Sequence, residues 1–258
     1  MNIVLIGAGN LATNLGMAMA KAGHNIMQVY SRTIESAQRL ADMLHTDATN
    51  DLDNVKDNAD VYIISVKDSV MRGIIEKLCP RNSRPLFLHT AGSMPMDMFC
   101  GKAERYGVLY PMQTFSKDRI VDFDNIPIFI EGSDSVTTNT ILQLANSLSS
   151  NVRELSSEAR KHLHLAAVFA CNFANHCYAL SAEILERNGL PFDVMLPLID
   201  ETASKVHKMH PAKAQTGPAI RYDENVIGGH LNLLDYNPAA KDIYEKMSIS
   251  IHNKSKEQ

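Results

Sequence analysis

Gly7-Ala8-Gly9-Asn10-Leu11-Ala12 is the stretch from which the fold can be read. It follows the apolar run Ile3-Val4-Leu5-Ile6 and opens a helical pattern that carries Leu11, Leu15, Ala18 and Met19 on one face and stops at Gly23. A strand, a tight glycine turn and a helix start, in that order, make the phosphate-binding corner of a dinucleotide-binding βαβ unit. Gly7 permits the turn, Gly9 lets backbone approach a pyrophosphate, and the small Ala12 allows the helix to pack closely on the strand. The helix start at Asn10 and Leu11 offers free N–H groups and a partial positive charge to the anion.

Working outward, a second strand is expected over Asn25–Tyr30, ending at Ser31-Arg32-Thr33. Sites that prefer NAD place an acidic residue here for the ribose 2′-hydroxyl. This chain has none. The planar fork of Arg32 can instead pair with a 2′-phosphate, with Ser31 and Thr33 adding hydroxyl donors, so the expected cofactor is NADP. The Asp60–Ser65 strand leads into Val66-Lys67-Asp68, and the Pro85–Thr90 strand into Ala91-Gly92-Ser93. Loops at the carboxyl ends of parallel strands line the ligand crevice, so Val66, Lys67 and Ala91 are expected beside the cofactor. His89 and Ser93 can reach a substrate; His89 suits a core position equally well.

The first half continues with strand signals at 107–110, 126–131 and 152–155, helices over 33–44, 68–78 and 137–148, and a short helix near 94–100. The segment 52–58 reads as a polar connector. After Ser156 the strand signals stop. Helices are expected over 157–188, 192–207, 223–234 and 238–252, with a loop at 211–222 and a frayed tail from 253. The fold class is therefore α/β: a Rossmann-type, mostly parallel sheet followed by an all-helical C-terminal domain. The expected domains are 1–153, which binds the dinucleotide, and 154–258, helical, for substrate and dimerisation.

Composition narrows the function. The chain has 258 residues, about 45% of them apolar and 21% charged, with a net charge of −4. That balance gives no electrostatic basis for nucleic acid binding. No apolar run approaches the roughly 18–20 residues that span a bilayer, and no basic segment precedes the first apolar run. The four cysteines form no Cys-x-x-Cys pair, which suits free thiols in the cytoplasm. The ten histidines show no ligand spacing, so no metal site is expected.

The candidate chemistry lies on the first long helix. At about 100° per residue, Lys161, His164, Val168, Asn172 and Asn175 fall within a sector of about 80°. In one reading this polar stripe faces the crevice, with Lys161 or His164 as general acid and Asn172 orienting a substrate carbonyl. In the other it is a hydrated face or part of a dimer interface. Arg221, in the loop after Gln215-Thr216-Gly217-Pro218, can clamp an anionic substrate group or pair with Asp223 or Glu224.

Taken together, Gly7–Ala12, Tyr110-Pro111-Met112-Gln113-Thr114-Phe115, Ala166–Phe173, Thr216-Gly217-Pro218 and His230-Leu231 resemble a bacterial family of NAD(P)-binding proteins that joins a Rossmann domain to a helical domain of unassigned function. More distantly, the layout is similar to pyrroline-5-carboxylate reductase, ketopantoate reductase and the 6-phosphogluconate and β-hydroxyacid dehydrogenases. The last group carries a Lys-x-x-x-Asn pair on the first helix after the Rossmann domain. Here Lys161 is followed four residues later by Leu165, and Asn172 lies well beyond. The resemblance implies NADP-dependent oxidoreductase chemistry, related proteins often being described as deazaflavin-dependent, and a homodimer built through the helical domain. It names no substrate. The expected activity is hydride transfer to or from a small polar carbonyl or imine, with His164 as proton donor and Asn172 and Lys161 positioning. The alternative is an NADP-binding sensor or scaffold without turnover.

Overall fold

The computed structural model describes residues 1–257 and divides into two compact units, Met1–Cys171 and Asn172–Gln258. The first is a Rossmann-like sheet with flanking helices, and the second is all helical.

In the first unit eight strands run in the order β3-β2-β1-β4-β5-β6-β7-β8. They are β1 Asn2–Ile6, β2 Asn25–Tyr30, β3 Asp47–Thr49, β4 Val61–Ile64, β5 Leu86–His89, β6 Arg105–Pro111, β7 Ile128–Gly132 and β8 Val152–Glu154. All neighbours pair in parallel except β6 with β7. The helices are α1 Asn10–Lys21, α2 Ile34–Leu44, α3 Asp68–Leu78, α4 Ser135–Asn146 and α5 Ser157–Ala167. The central strands read as continuous apolar runs because both faces of the sheet are covered. Successive side chains of β1 go to opposite layers. Ile3 and Leu5 join Leu15, Leu40 and Ile141 on one face; Val4 and Ile6 join Met71, Ile75 and Phe99 on the other. Chain order reverses between β1 and β4, and such a switch point opens a crevice at the strands' carboxyl ends.

A buried asparagine ties the long β6–β7 connection to α1. Asn14 donates to the carbonyls of Asn10 (3.0 Å) and Ser116 (2.8 Å), and its Oδ1 accepts from the Val121 N–H (2.9 Å).

In the second unit α6 Ala174–Arg187 is followed by α7 Leu196–Lys208, the short α8 Pro211–Ala214 and α9 Pro218–Arg221, then α10 Glu224–Leu233 and α11 Pro238–Lys256.

Several expectations are corrected. Asp47–Thr49 forms an edge strand, and the expected connector after it contains a 3-10 turn at Leu52–Asn54. The region expected as a loop at 211–222 holds two single-turn helices, each begun by a proline at the position where the missing N–H costs nothing. Helix continues to Lys256, past the expected fraying point. The long helix is not uniform: Val168–Phe173 is a π-helical segment. A π-turn inserts one residue into the turn and rotates every later position by about 100°, so a sector drawn at uniform spacing from Lys161 does not extend through Asn172 and Asn175.

Candidate functional site

The glycine corner has the geometry expected of it, with a more specific reason for the first glycine. Gly7 has φ +123°, and a Cβ there would overlap the carbonyl oxygen of Ser65 at the end of β4. The turn can pass that carbonyl only without a side chain. Gly9 differs: a Cβ there would meet nothing within 4 Å. It precedes α1 without a side-chain cap, which leaves the first N–H groups of the helix available. Open space beside uncapped N–H groups is the local geometry of an anion cradle.

Gly7, Gly9, Asn10 and Leu11 line a cavity of about 640 Å³ together with Ser31, Arg32, Thr33, Val66, Lys67 and Ala91. Ala12 lies behind the lining, fully buried in the core. The sequence reading missed Ser36, Val70 and Ile74, which also line the cavity, as do Tyr30 and Asp68. Thr33 donates its hydroxyl to Ser36 (2.8 Å), so the two hydroxyls follow Arg32 as a pair at the start of α2. Ser93 donates to the Asp68 carboxylate, tying the loop after β5 to the one after β4. The size, the uncapped helix start and the Ser31, Arg32, Thr33 and Ser36 side chains in the lining fit a dinucleotide.

Beside Ala91 stands His164. Gly92 packs so closely on its ring that a Cβ there would lie 2.6 Å from Nδ1. The Tyr110 hydroxyl, from the end of β6, is 3.1 Å from the same nitrogen. Burial pushes the Tyr110 hydroxyl above its ordinary pKa, while the nearby Arg160 pulls the other way.

Arg160, one turn earlier on α5, is 1% exposed. It pairs with Glu131 of β7 at 2.7 Å and donates to the Met94 carbonyl at 2.6 Å. Ser157 completes the cluster: its N–H and hydroxyl both donate to Glu131, at 2.9 and 2.6 Å, and its oxygen accepts from Met96 N–H at 2.9 Å. Burial pushes the Glu131 carboxyl up, but the Ser157 and Arg160 hydrogen bonds outweigh it and hold the pKa below its ordinary value. This cluster fixes the start of α5, and with it the height of His164, against the sheet. Nothing local in the sequence separates Arg160 from the solvated charges around it, because its partners lie 29 and 66 residues away.

Lys161 is exposed and pairs with Glu158 at 3.7 Å. Asn172 is exposed and belongs to the second unit. Of the two readings of His89, the core one holds: it is fully buried, and its Nδ1 accepts from the Ala91 N–H (3.2 Å), which puts the ring proton on Nε2. Burial, helped by Arg160, lowers its pKa to about 4. In the second unit, His230 Nδ1 lies 2.8 Å from the Tyr244 hydroxyl. Among the described residues no group of three His, Cys, Asp or Glu side chains could hold a metal ion, and no helix is long and apolar enough to cross a membrane.

The fold and the cavity define an NAD(P)-binding oxidoreductase-like protein. Residues 2–88 match the family model described as NADP oxidoreductase, coenzyme F420-dependent, and residues 126–251 match a domain of unknown function, DUF2520. The presumed NADP oxidoreductase BF3122 of Bacteroides fragilis is 55% identical over 98% of both chains, with a TM-score of 0.95. The chain belongs to this bacterial family of NAD(P)-binding oxidoreductases. Protein TM1727 of Thermotoga maritima, 21% identical over 98% of this chain and 99% of its own, has the same fold at a TM-score of 0.79. So does an imine reductase of Myxococcus stipitatus in complex with NADP+, 14% identical over 100% of this chain and 93% of its own, at 0.68. Among curated proteins none matches.

Proposed function

We propose that the protein is an NADP-dependent oxidoreductase that transfers hydride between a nicotinamide and a small polar carbonyl or imine. The observation that carries this reading is the position of His164, packed on Gly92 immediately after the cavity-lining Ala91. A nicotinamide cofactor, when bound, supplies or accepts the hydride. The protein's own part is to hold the dinucleotide and to move a proton at the substrate heteroatom. Gly9 and the N–H groups of Asn10 and Leu11 take the pyrophosphate, Arg32 with Ser31, Thr33 and Ser36 the 2′-phosphate, and Val66 and Ala91 flank the reacting end. His164 serves as proton donor. The similarity to an NADP oxidoreductase and to an imine reductase bound to NADP+ supports this assignment.

Loss of NADPH absorbance over a panel of keto acids, ketones and cyclic imines tests it, with His164→Ala as control. Turnover that survives His164→Ala removes the proton-donor assignment, and no turnover across the panel favours a dinucleotide-binding sensor. The cofactor is tested separately. Arg32→Ala is expected to weaken NADPH binding at least about tenfold, the loss of one charge-assisted pair, while leaving NADH binding unchanged. Equal effects on both would overturn the preference for NADP.

We also infer that two copies associate through the helical unit, whose exposed apolar side chains suit a second copy. The four free cysteines fit a reducing cytoplasm.

A further inference from the structure

β5 ends at His89, and Thr90 and Ala91 beyond it line the cavity. Thr90 still donates to the Ile64 carbonyl of β4, at 3.2 Å. Ala91 lies past the end of the paired strand. Its N–H turns back to the His89 side chain, 3.2 Å from Nδ1. A backbone N–H can only donate, so the direction of this bond is fixed and Nδ1 is the acceptor. The rest of the loop is held by other elements. Ser93 donates to the Asp68 carboxylate, the Met94 carbonyl accepts from Arg160, and the Met96 N–H donates to Ser157. Gly92 lies between Ala91 and Ser93 and packs on the His164 ring.

As filling alone, a histidine is a poor choice here. The ring is fully buried, and Nε2 has no hydrogen-bond partner among the described residues. Burying a polar group in that state is unfavourable, and an apolar side chain of similar size avoids the cost. What an apolar side chain lacks is the acceptor at Nδ1. Phe99 stacks on the ring, 5.9 Å between centroids and 17° between planes, and so fixes the plane in which Nδ1 points. A side-chain acceptor that takes the N–H two residues on is a local device that pins a turn, more often supplied by asparagine or aspartate.

We infer that His89 is a positioning residue: by holding the Ala91 N–H on Nδ1 it sets where the loop after β5 meets the bound cofactor and where Gly92 meets His164. It touches neither the cofactor nor the substrate and acts only through Ala91. The part that concerns the cofactor rests on reading the cavity as the dinucleotide site.

Two substitutions in the full-length protein separate holding from filling. His89→Leu fills the core and holds nothing. His89→Asn leaves space in the core but puts an amide oxygen close to where Nδ1 stands. Amide hydrogen exchange at neutral pH, without cofactor, is read at Ala91, with the Thr90 amide as internal control because its bond to Ile64 does not involve the ring. In His89→Leu the Ala91 amide should exchange about tenfold faster and NADPH affinity should fall about tenfold, the loss of one hydrogen bond. In His89→Asn both should stay near those of the unmodified protein, although this variant has the smaller side chain and unfolds at lower denaturant. A residue that only fills the core gives the reverse order, with leucine the better replacement. An Ala91 amide that stays protected in His89→Leu, or is lost in His89→Asn, would overturn the inference, so either variant decides if the other does not fold. Absence of NADPH binding by the unmodified protein would count against the proposed function, and Ala91 exchange would still decide whether His89 holds the loop.

Discussion

In the first unit, β1 buries Ile3 and Leu5 in one layer and Val4 and Ile6 in the other, all at 1% exposure or less. In the second unit, Leu198 is 62% and Leu233 74% exposed, and the buried apolar residues are Leu185, Ala219, Ile227, Leu234 and Ala240. A sheet covered on both faces satisfies its own apolar surface, whereas these helices leave leucines in solvent. The contrast separates two kinds of requirement. The first unit depends on internal geometry at a few positions, and the second exposes apolar surface that the proposed association of two copies would cover.

The largest effect is expected where the first unit allows no adjustment. Gly7→Ala combines a positive φ with overlap on a backbone carbonyl, so it should destabilise by more than about 5 kcal/mol and abolish NADPH binding, as seen by denaturant unfolding and fluorescence titration. A folded Gly7→Ala protein with normal affinity would show that the corner has room to move away from the Ser65 carbonyl. Arg160→Leu leaves Glu131 without its buried cation and should cost about 3–5 kcal/mol in the same unfolding measurement.

Next comes acid. The fold favours neutral His89, so between pH 6.5 and about 4 the unfolded chain binds the proton more readily than the folded one. That contribution is whole above pH 6.5 and is lost as the pH falls to about 4, by about 3 kcal/mol. Urea unfolding at a series of pH values should show this slope, and His89→Gln should flatten it. An unchanged slope would place the acid sensitivity elsewhere.

The smallest effect on unfolding is expected in the second unit. Leu198→Lys with Leu233→Lys touches exposed positions, where substitutions stay within about 0.5 kcal/mol. Light scattering should nevertheless report a shift toward single chains. A double variant that associates as before would move the interface off these helices.

The two units were also unequally legible. Strand, glycine turn and helix start are neighbours along the chain, so Gly7–Ala12 could be read directly, as could Arg32 at the end of β2. The strand Asp47–Thr49 could not: three residues at a sheet edge carry no alternation, and only pairing with β2 defines them. The reversal of β7 was equally hidden, because Ile128–Gly132 is as apolar as a parallel strand. Around His164 the informative facts are distances between residues far apart in sequence. Tyr110 lies 54 positions away, and nothing beside Arg160 in the sequence marks it for burial. The stripe drawn from Lys161 to Asn175 assumed one helical period, and the π-turn breaks that period at its middle.

The amide of Asn14 bears on the order in which the molecule forms. Its bonds to Ser116 and Val121 join positions 102 and 107 residues apart. Contacts of such separation are rewarded only after the intervening chain has been gathered in. The Val121 amide is therefore expected to gain exchange protection late, once α1 and the β6–β7 connection have met, and to mark completion of this unit rather than its beginning.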